Sequence, residues 1–119
     1  MAHEGQRPHD SPASRYYELV DRGDLEGVLA LFSPDAVYDR PGHGRIQGAD
    51  ALRHFFLHER KLVSSRHDIR RFITDGDWVV AEGVAEARTE DGDEVKVAFV
   101  DVFRIEGDLI VERRGYVSR

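Results

Sequence analysis

The amino-acid sequence predicts an α+β fold in which three N-terminal helices pack on a curved antiparallel sheet. Three segments in the first half of the chain repeat their apolar residues at helical spacing, whereas four segments in the second half are rich in Val, Ile and Phe. Short Asp- and Gly-rich links join the strand-like segments, as in hairpins. If such a sheet curls around the helices, it forms a cone-shaped barrel with one open mouth.

The first helix follows a polar leader, residues 1–10, which shows no periodicity and is predicted to be frayed. A single domain is therefore expected over residues 11–119. Ser11 and Pro12 supply an N-cap and a first-turn proline, and Gly23 marks the end of the helix. Its apolar stripe consists of Ala13, Tyr16, Tyr17 and Val20.

Two more helices are predicted on either side of a short strand. Asp24 caps the second helix, which should end at Ser-Pro 33–34, and Gly48 opens the third. Residues 36–40 are strand-like, and residues 41–44 form a turn-rich loop. The apolar stripes are Leu25, Val28, Leu29 and Phe32 in the second helix, and Leu52, Phe55, Phe56 and Leu62 in the third.

The second half of the chain alternates strands with tight turns. Because the links are too short for crossover helices, the strands should pair antiparallel as a meander. The predicted strands are residues 66–74, 78–88, 94–105 and 108–117, joined at 75–77, 90–93 and 106–108.

The composition narrows the class of protein. A chain of 119 residues, 34% charged and 40% hydrophobic, can bury one core. Its net charge of −6 argues against a nucleic-acid partner, which would need a basic face. The chain has no cysteine, which excludes thiolate nucleophiles and cysteine-ligated zinc. It shows neither an apolar run near the roughly 20 residues of a membrane span nor a signal-peptide core, so a cytoplasmic protein with no membrane partner is expected.

The strongest chemical signal is Asp101, a carboxylate inside the apolar strand-like run of residues 98–105. A buried acid must find hydrogen-bond partners or take up a proton, because an unpaired buried charge is costly. Such residues occur at working sites more often than elsewhere. Asp101 is therefore the first candidate for a catalytic group, and a buried ion pair with Arg114 or Arg40 is the alternative.

Period-2 alternation predicts the lining of a cavity around Asp101. The inward residues are expected to be Val97, Phe99 and Phe103; Tyr38 and Arg40; Val79, Ala81, Gly83 and Ala85; and Glu112, Arg114 and Tyr116. Glu82 and Glu86 should face the other way. Phe55 and His43, the latter at the mouth, complete the expected contacts with a hydrophobic small molecule. Tyr16 is equally compatible with a core tyrosine, His43 with a solvated loop residue, and Glu112 and Arg114 with a rim salt bridge.

Several strings in the chain resemble the NTF2-like superfamily, and in particular its SnoaL-like polyketide cyclases and ketosteroid isomerases. They are GDLEG at 23–27, LFSPDAV at 31–37, RIQG at 45–48, VDVFR at 100–104 and GDLIVE at 107–112. Together they span roughly residues 13 to 117. The resemblance implies the cone-shaped fold and a homodimer formed through the outer face of the sheet.

The ketosteroid isomerase pattern also implies roles for three positions. Tyr16 and a protonated Asp101 would form an oxyanion hole, and the base position on the first strand holds Arg40. Arg cannot act as that base, and Asp39 lies one residue away, on the opposite face unless a bulge turns it. His54 and His58 have the i, i+4 spacing of metal ligands but no third ligand nearby in sequence, so neither a metal nor another cofactor is predicted.

Three functions remain open at this point. The first is a cofactor-independent enzyme that moves a proton next to the carbonyl of a hydrophobic compound, as a polyketide-type cyclase or isomerase does, with Asp101, Tyr16 and Arg40 as catalytic residues. The second is a non-catalytic small-molecule-binding or dimerisation module. The third is an epoxide hydrolase-like site in which Asp101 works with Glu112 and an arginine, Arg40 or Arg114.

Overall fold

The computed structural model describes residues 11–40, 42–60 and 62–118 and shows a six-stranded mixed sheet with helices. The predicted leader lies outside the described residues. The helices are α1 (Pro12–Arg22), α2 (Leu25–Ala30) and α3 (Ala49–His54), the last continued by a π-helical turn (Phe55–Glu59). The strands are β1 (Phe32–Arg40), β2 (Gly44–Gln47), β3 (Leu62–Asp75), β4 (Trp78–Thr89), β5 (Glu94–Glu106) and β6 (Leu109–Ser118).

Helix α1 begins and ends where its capping residues predict. The Ser11 side chain accepts a hydrogen bond from the main-chain N–H of Ser14 at 3.2 Å, and Gly23 takes the left-handed conformation with φ 78°. The buried face of the helix carries Tyr16 and Tyr17 side by side. The prediction for this element is confirmed, and both tyrosines are delivered to the interior of the domain.

The second helix is shorter than its apolar stripe suggests. The Asp24 side chain caps it at the N–H of Gly27, 2.9 Å away, but the helix ends at Ala30, and Phe32 already belongs to β1. Pro34 does not stop a helix, because it lies within β1, where the pairing with β6 shifts register and tolerates the missing N–H. The helical assignment of Phe32 was therefore wrong.

The third helix also ends early. Leu52 and Phe55 are buried as predicted, but Leu62 is the first residue of β3 and not part of the helical stripe. Strand β2 is not predicted, because of its four residues only Ile46 is buried, which leaves too little alternation to read.

The sheet order is β2-β1-β6-β5-β4-β3. Strands β3 to β6 form the predicted antiparallel meander, whereas β1 pairs with β6 in parallel, so the sheet is mixed and not purely antiparallel. This pairing joins segments far apart in sequence and leaves no local turn signal. It sets Tyr38 opposite Arg113, so that residues from the first and last strands lie side by side.

The core lies between the helices and one face of the sheet. Its largest fully buried side chains are Tyr16, Tyr38, Phe55, Phe103, Leu52, Ile110 and Val28. Val79, Ala81 and Gly83 of β4 are buried, as the alternation predicts. No helix in the described part of the chain is long and apolar enough to cross a membrane.

Candidate active site

A pocket of about 200 Å³ opens beside the core. Apolar walls come mostly from β4 and β5. Polar side chains come from α1, β1, β3, β5 and β6 and from Arg60, which follows the π-helical turn. Its lining consists of Tyr16, Tyr38, Arg40, Arg60, Leu62, Ser65, His67, Ala85, Ala87, Val95, Val97, Phe99, Asp101, Arg113, Gly115 and Val117. Of the β4 residues that the alternation assigns to the cavity, Ala85 lines the pocket, whereas Val79, Ala81 and Gly83 are buried outside its lining.

Asp101 is 4% exposed and is held by two donors on the same oxygen. Nη2 of Arg113 lies 2.9 Å from Oδ2, and the Tyr17 hydroxyl donates a short hydrogen bond to that atom. Burial raises the pKa of Tyr17, and the Asp101 carboxylate raises it further, so the phenol keeps the proton that it donates. Because both partners donate, the arrangement suits an ionised Asp101 and not the protonated one that the ketosteroid isomerase pattern implies.

Arg113 connects Asp101 to the tyrosines. Its Nη1 donates to the Tyr16 hydroxyl at 3.0 Å, and its guanidinium carbon lies 4.4 Å from the ring centres of both Tyr16 and Tyr38. Burial by itself lowers the pKa of Arg113, but the carboxylate of Asp101 raises it well above its usual value. Arg113 is therefore a permanent buried cation.

Two tyrosine hydroxyls in the pocket share one arrangement. Tyr16 accepts from Arg113, and Tyr38 accepts from Nη1 of Arg40 at 3.1 Å. Burial raises the pKa of Tyr16 to about 12, so its hydroxyl stays protonated. No acceptor for either hydroxyl proton is found among the described residues, which leaves both protons available to a ligand oxygen.

His67 and Asp21 form a second polar cluster at the wall. Nδ1 of His67 lies 2.6 Å from Oδ1 of Asp21, the main-chain N–H of His67 donates to Oδ2 at 2.7 Å, and the Ser65 hydroxyl donates to Oδ1 at 2.9 Å. Burial by itself raises the pKa of Asp21, but the hydrogen bonds from His67 and Ser65 outweigh it and lower the pKa. The His67 ring packs on Tyr17 and Phe99, with ring centres 5.1 and 5.5 Å apart.

The structure turns the predicted residues of the last strand away from the pocket. Glu112, Arg114 and Tyr116 are absent from the lining, and Arg113, Gly115 and Val117 take their places. Opposite this strand, Ile105 pairs with Ile110 but Arg104 pairs with Glu112, so Val111 is an extra bulged residue. A bulge reverses the alternation beyond it, and the three assignments were therefore wrong.

The predicted residues from the loop and the third helix also lie away from the pocket lining. His43 is exposed and its Nε2 lies 2.8 Å from the Glu59 carboxylate, while Phe55 packs edge-on behind Tyr38. The described residues hold no group of three side chains that could bind a metal, so His54 has no such set.

Sequence reasoning brought Asp101, Tyr16, Tyr38, Arg40 and Phe99 to one pocket, and all five line it. It missed the side chains that hold them. Tyr17 shares the apolar stripe of Tyr16 and gave no separate signal, and Arg113 was hidden by the bulge. Asp21 lies on helix α1, and its partners Ser65 and His67 are more than 40 residues away in sequence; Arg60 follows the π-helical turn, where nothing in the sequence marks it as a pocket residue.

Comparison with known proteins agrees with this architecture. The family model for the SnoaL-like domain matches residues 13–113. An NTF2-like protein of unknown function from Burkholderia pseudomallei is 26% identical, with 90% of this chain and 88% of that chain covered and a TM-score of 0.81. TerC, co-crystallised with polyporic acid, is 22% identical over 94% of this chain and 92% of its own, with a TM-score of 0.81.

An epoxide hydrolase of Mycobacterium tuberculosis, described as LEH-like, is 21% identical. The match covers 90% of this chain and 80% of the epoxide hydrolase, with a TM-score of 0.79. At this identity the likeness of the last two structures concerns the fold. The family match covers most of the chain, and the chain therefore belongs to the SnoaL-like domain family, with an NTF2-like fold.

Proposed function

We propose that the protein is a cofactor-independent enzyme that moves a proton next to the carbonyl group of a hydrophobic small molecule. The observation that carries this proposal is the pair of tyrosine hydroxyls, each backed by an arginine, in the same pocket as one buried carboxylate. Proton abstraction next to a carbonyl needs a base and donors for the developing enolate oxygen. Isomerases and aldol-type cyclases share this first step.

The tyrosines are assigned to the enolate oxygen. An arginine that donates to a phenol oxygen polarises the phenol, which makes its own proton a stronger donor. Tyr16 backed by Arg113, and Tyr38 backed by Arg40, would thus form a two-donor oxyanion hole. The role expected for Tyr16 is retained, Tyr38 is added as a second donor, and Arg40 becomes a positioning residue that acts through Tyr38 and not on the enolate oxygen itself.

Asp101 is assigned the role of base. Both of its recorded hydrogen bonds go to Oδ2, and no partner for Oδ1 is found in the described part of the chain. Oδ1 is thereby left to accept a proton from the substrate. His67, oriented by Asp21, is the second group in the wall that can exchange a proton, which a cyclisation needs when an alkoxide forms.

The test is exchange of substrate protons with solvent. A panel of aromatic and alicyclic ketones and β-keto esters, β-tetralone among them, is incubated with the protein in deuterium oxide, and loss of the α-proton signals is followed by NMR. We expect Asp101→Asn to slow the catalysed exchange by about 100-fold or more. Glu112→Gln, on the outer side of the neighbouring strand, is the matched control and should keep the wild-type rate.

Exchange at the buffer rate across the whole panel would favour the non-catalytic binding module instead, whereas full activity in Asp101→Asn would exclude Asp101 as the base. That alternative is supported by the saturation of Oδ2, since a carboxylate held by Arg113 and Tyr17 can serve as a structural ion pair. Epoxide hydrolysis is less well supported, because Asp101 is the one carboxylate among the described lining residues and Glu112 points away. The homodimer and the cytoplasmic location stay predictions.

A further inference from the structure

The pocket carries more positive than negative charge. Arg40, Arg60 and Arg113 line it, and Asp101 is the one carboxylate among the described lining residues. The protein as a whole has the opposite balance, with a net charge of −6. Two positive charges in the pocket are therefore not matched by an acid.

The unmatched arginines are Arg40 and Arg60. Among the described residues neither has a carboxylate within salt-bridge distance, and their side chains donate to neutral hydroxyls, Arg40 to Tyr38 and Arg60 to Ser65. Many of the arginines on the surface, by contrast, do have a carboxylate partner. Examples are Arg53 with Glu26, Arg71 with Glu82, Arg88 with Glu94 and Arg104 with Glu106. In a chain so rich in acids, two unpaired arginines in one pocket call for a ligand-based explanation.

Arg60 is the more constrained of the two. Its Nε is buried without a hydrogen-bond partner, and its Nη2 makes one long contact, 3.4 Å, with the Ser65 hydroxyl. Burial lowers the pKa of Arg60, and the nearby cations of Arg40 and Arg113 lower it further. A buried donor without an acceptor destabilises the empty protein, and an anion in the pocket would remove that cost.

We propose that the pocket binds an organic anion, a carboxylate joined to an apolar ring body, and that Arg60 and Arg40 hold its acidic group. This deepens the function proposed above and rests on it for the choice of pocket. The apolar walls of β4 and β5 would hold the ring, and the carbonyl would lie towards Tyr16 and Asp101. A planar guanidinium suits a carboxylate because it can donate two parallel hydrogen bonds.

The experiment compares two ligands that differ in charge and hardly in shape. Binding of 2-naphthoate and of 2-naphthamide is measured by isothermal titration calorimetry at neutral pH. We expect the wild type to bind the anion about tenfold or more tightly than the amide, as charge-assisted hydrogen bonds would provide. Arg60→Gln leaves Arg40 in place and should therefore lower this preference severalfold, without changing the affinity for the amide.

Two further variants separate the effect from misfolding and from long-range charge. Arg60→Lys keeps the cation and should keep most of the preference, and circular dichroism checks that each variant is folded. Arg45→Gln removes the same charge from an exposed residue of β2, outside the pocket, and should leave the preference unchanged.

Equal affinities for the two ligands in the wild type, no binding of the anion, or a preference that is undiminished in Arg60→Gln would each overturn the proposal. These outcomes are independent of catalysis. Anion preference without α-proton exchange would leave this inference standing and remove the enzymatic function. Exchange without anion preference would leave the enzymatic function standing and remove this inference.

Discussion

Replacing Arg113 with Met tests the buried ion pair directly. The substitution keeps an apolar side chain of similar length over the rings of Tyr16 and Tyr38 but removes the cation 2.9 Å from Asp101. Asp101 then keeps only the Tyr17 hydroxyl as a recorded partner. The change therefore isolates what the cation contributes to the stability of the fold.

The expected cost is large because both charges are almost fully buried, with side-chain exposures of 6% for Arg113 and 5% for Asp101. Removing one partner of a buried pair destabilises a protein by about 3–5 kcal/mol. For a domain of this size, such a loss lowers the melting temperature by roughly 10–25 °C. Asp101→Asn should have a cost of the same order, since it leaves the Arg113 cation without its carboxylate.

Urea unfolding at neutral pH, followed by far-UV circular dichroism, measures these costs. In the double variant Asp101→Asn/Arg113→Met the total cost should be smaller than the sum of the single costs by about 1–3 kcal/mol, which is the coupling typical of residues in contact. Arg114→Met is the matched control, because its side chain is 46% exposed, and it should unfold close to the wild type. The reasoning is refuted if Arg113→Met unfolds like this control or if the two single costs simply add.

Three other substitutions probe local contacts. Gly83→Ala places a Cβ against the main-chain carbonyl oxygen of Asp68 in β3, so we expect a loss of about 1–3 kcal/mol in urea unfolding, and wild-type stability would contradict the close approach of the two strands. Tyr17→Phe removes a donor from Asp101 and should cost about 1–2 kcal/mol, which thermal and urea unfolding can check. Asp21→Asn removes a carboxylate whose folded pKa lies below its ordinary value of 3.8, so the stability that this carboxylate contributes is present above pH 3.8 and is lost as the pH falls through the folded pKa. The gap between wild type and Asp21→Asn should therefore narrow on acidification, and a gap independent of pH would show that the bonds to His67 do not depend on the charge.

Local chemistry explains which parts of the fold could be predicted. The caps at Ser11 and Gly23 and the Asp- and Gly-rich turns act within a few residues, so α1 and the β3–β6 meander follow from the sequence. The parallel pairing of β1 with β6 depends on residues far apart, and no local signal announces it. Phe32 illustrates a third case: an apolar residue suits both the stripe of a helix and the start of a strand, and tertiary packing decides between them.

The residues of the site likewise fall into those that a local sequence signal reveals and those that depend on distant pairing. Asp101 could be found because an acid in an apolar run is unusual at the level of the sequence itself. Its partner Arg113 could not be found in this way, because Arg114 is an identical neighbour. The two arginines differ only in which face of β6 each side chain occupies. The bulged residue Val111 determines which face that is.

The bulge at Val111 also has a consequence for the charges that the last strand brings to the pocket. If β6 paired with β5 without it, regular alternation would turn Glu112 towards the side on which Asp101 lies and would turn Arg113 away. Arg114 would then lie opposite Asp101 and take the place of Arg113 as its partner, and Glu112 would bring a second carboxylate onto the same buried face. The bulge thus decides which arginine meets Asp101, and it keeps Glu112 off the buried face, so that the last strand brings one cation and no carboxylate to the pocket.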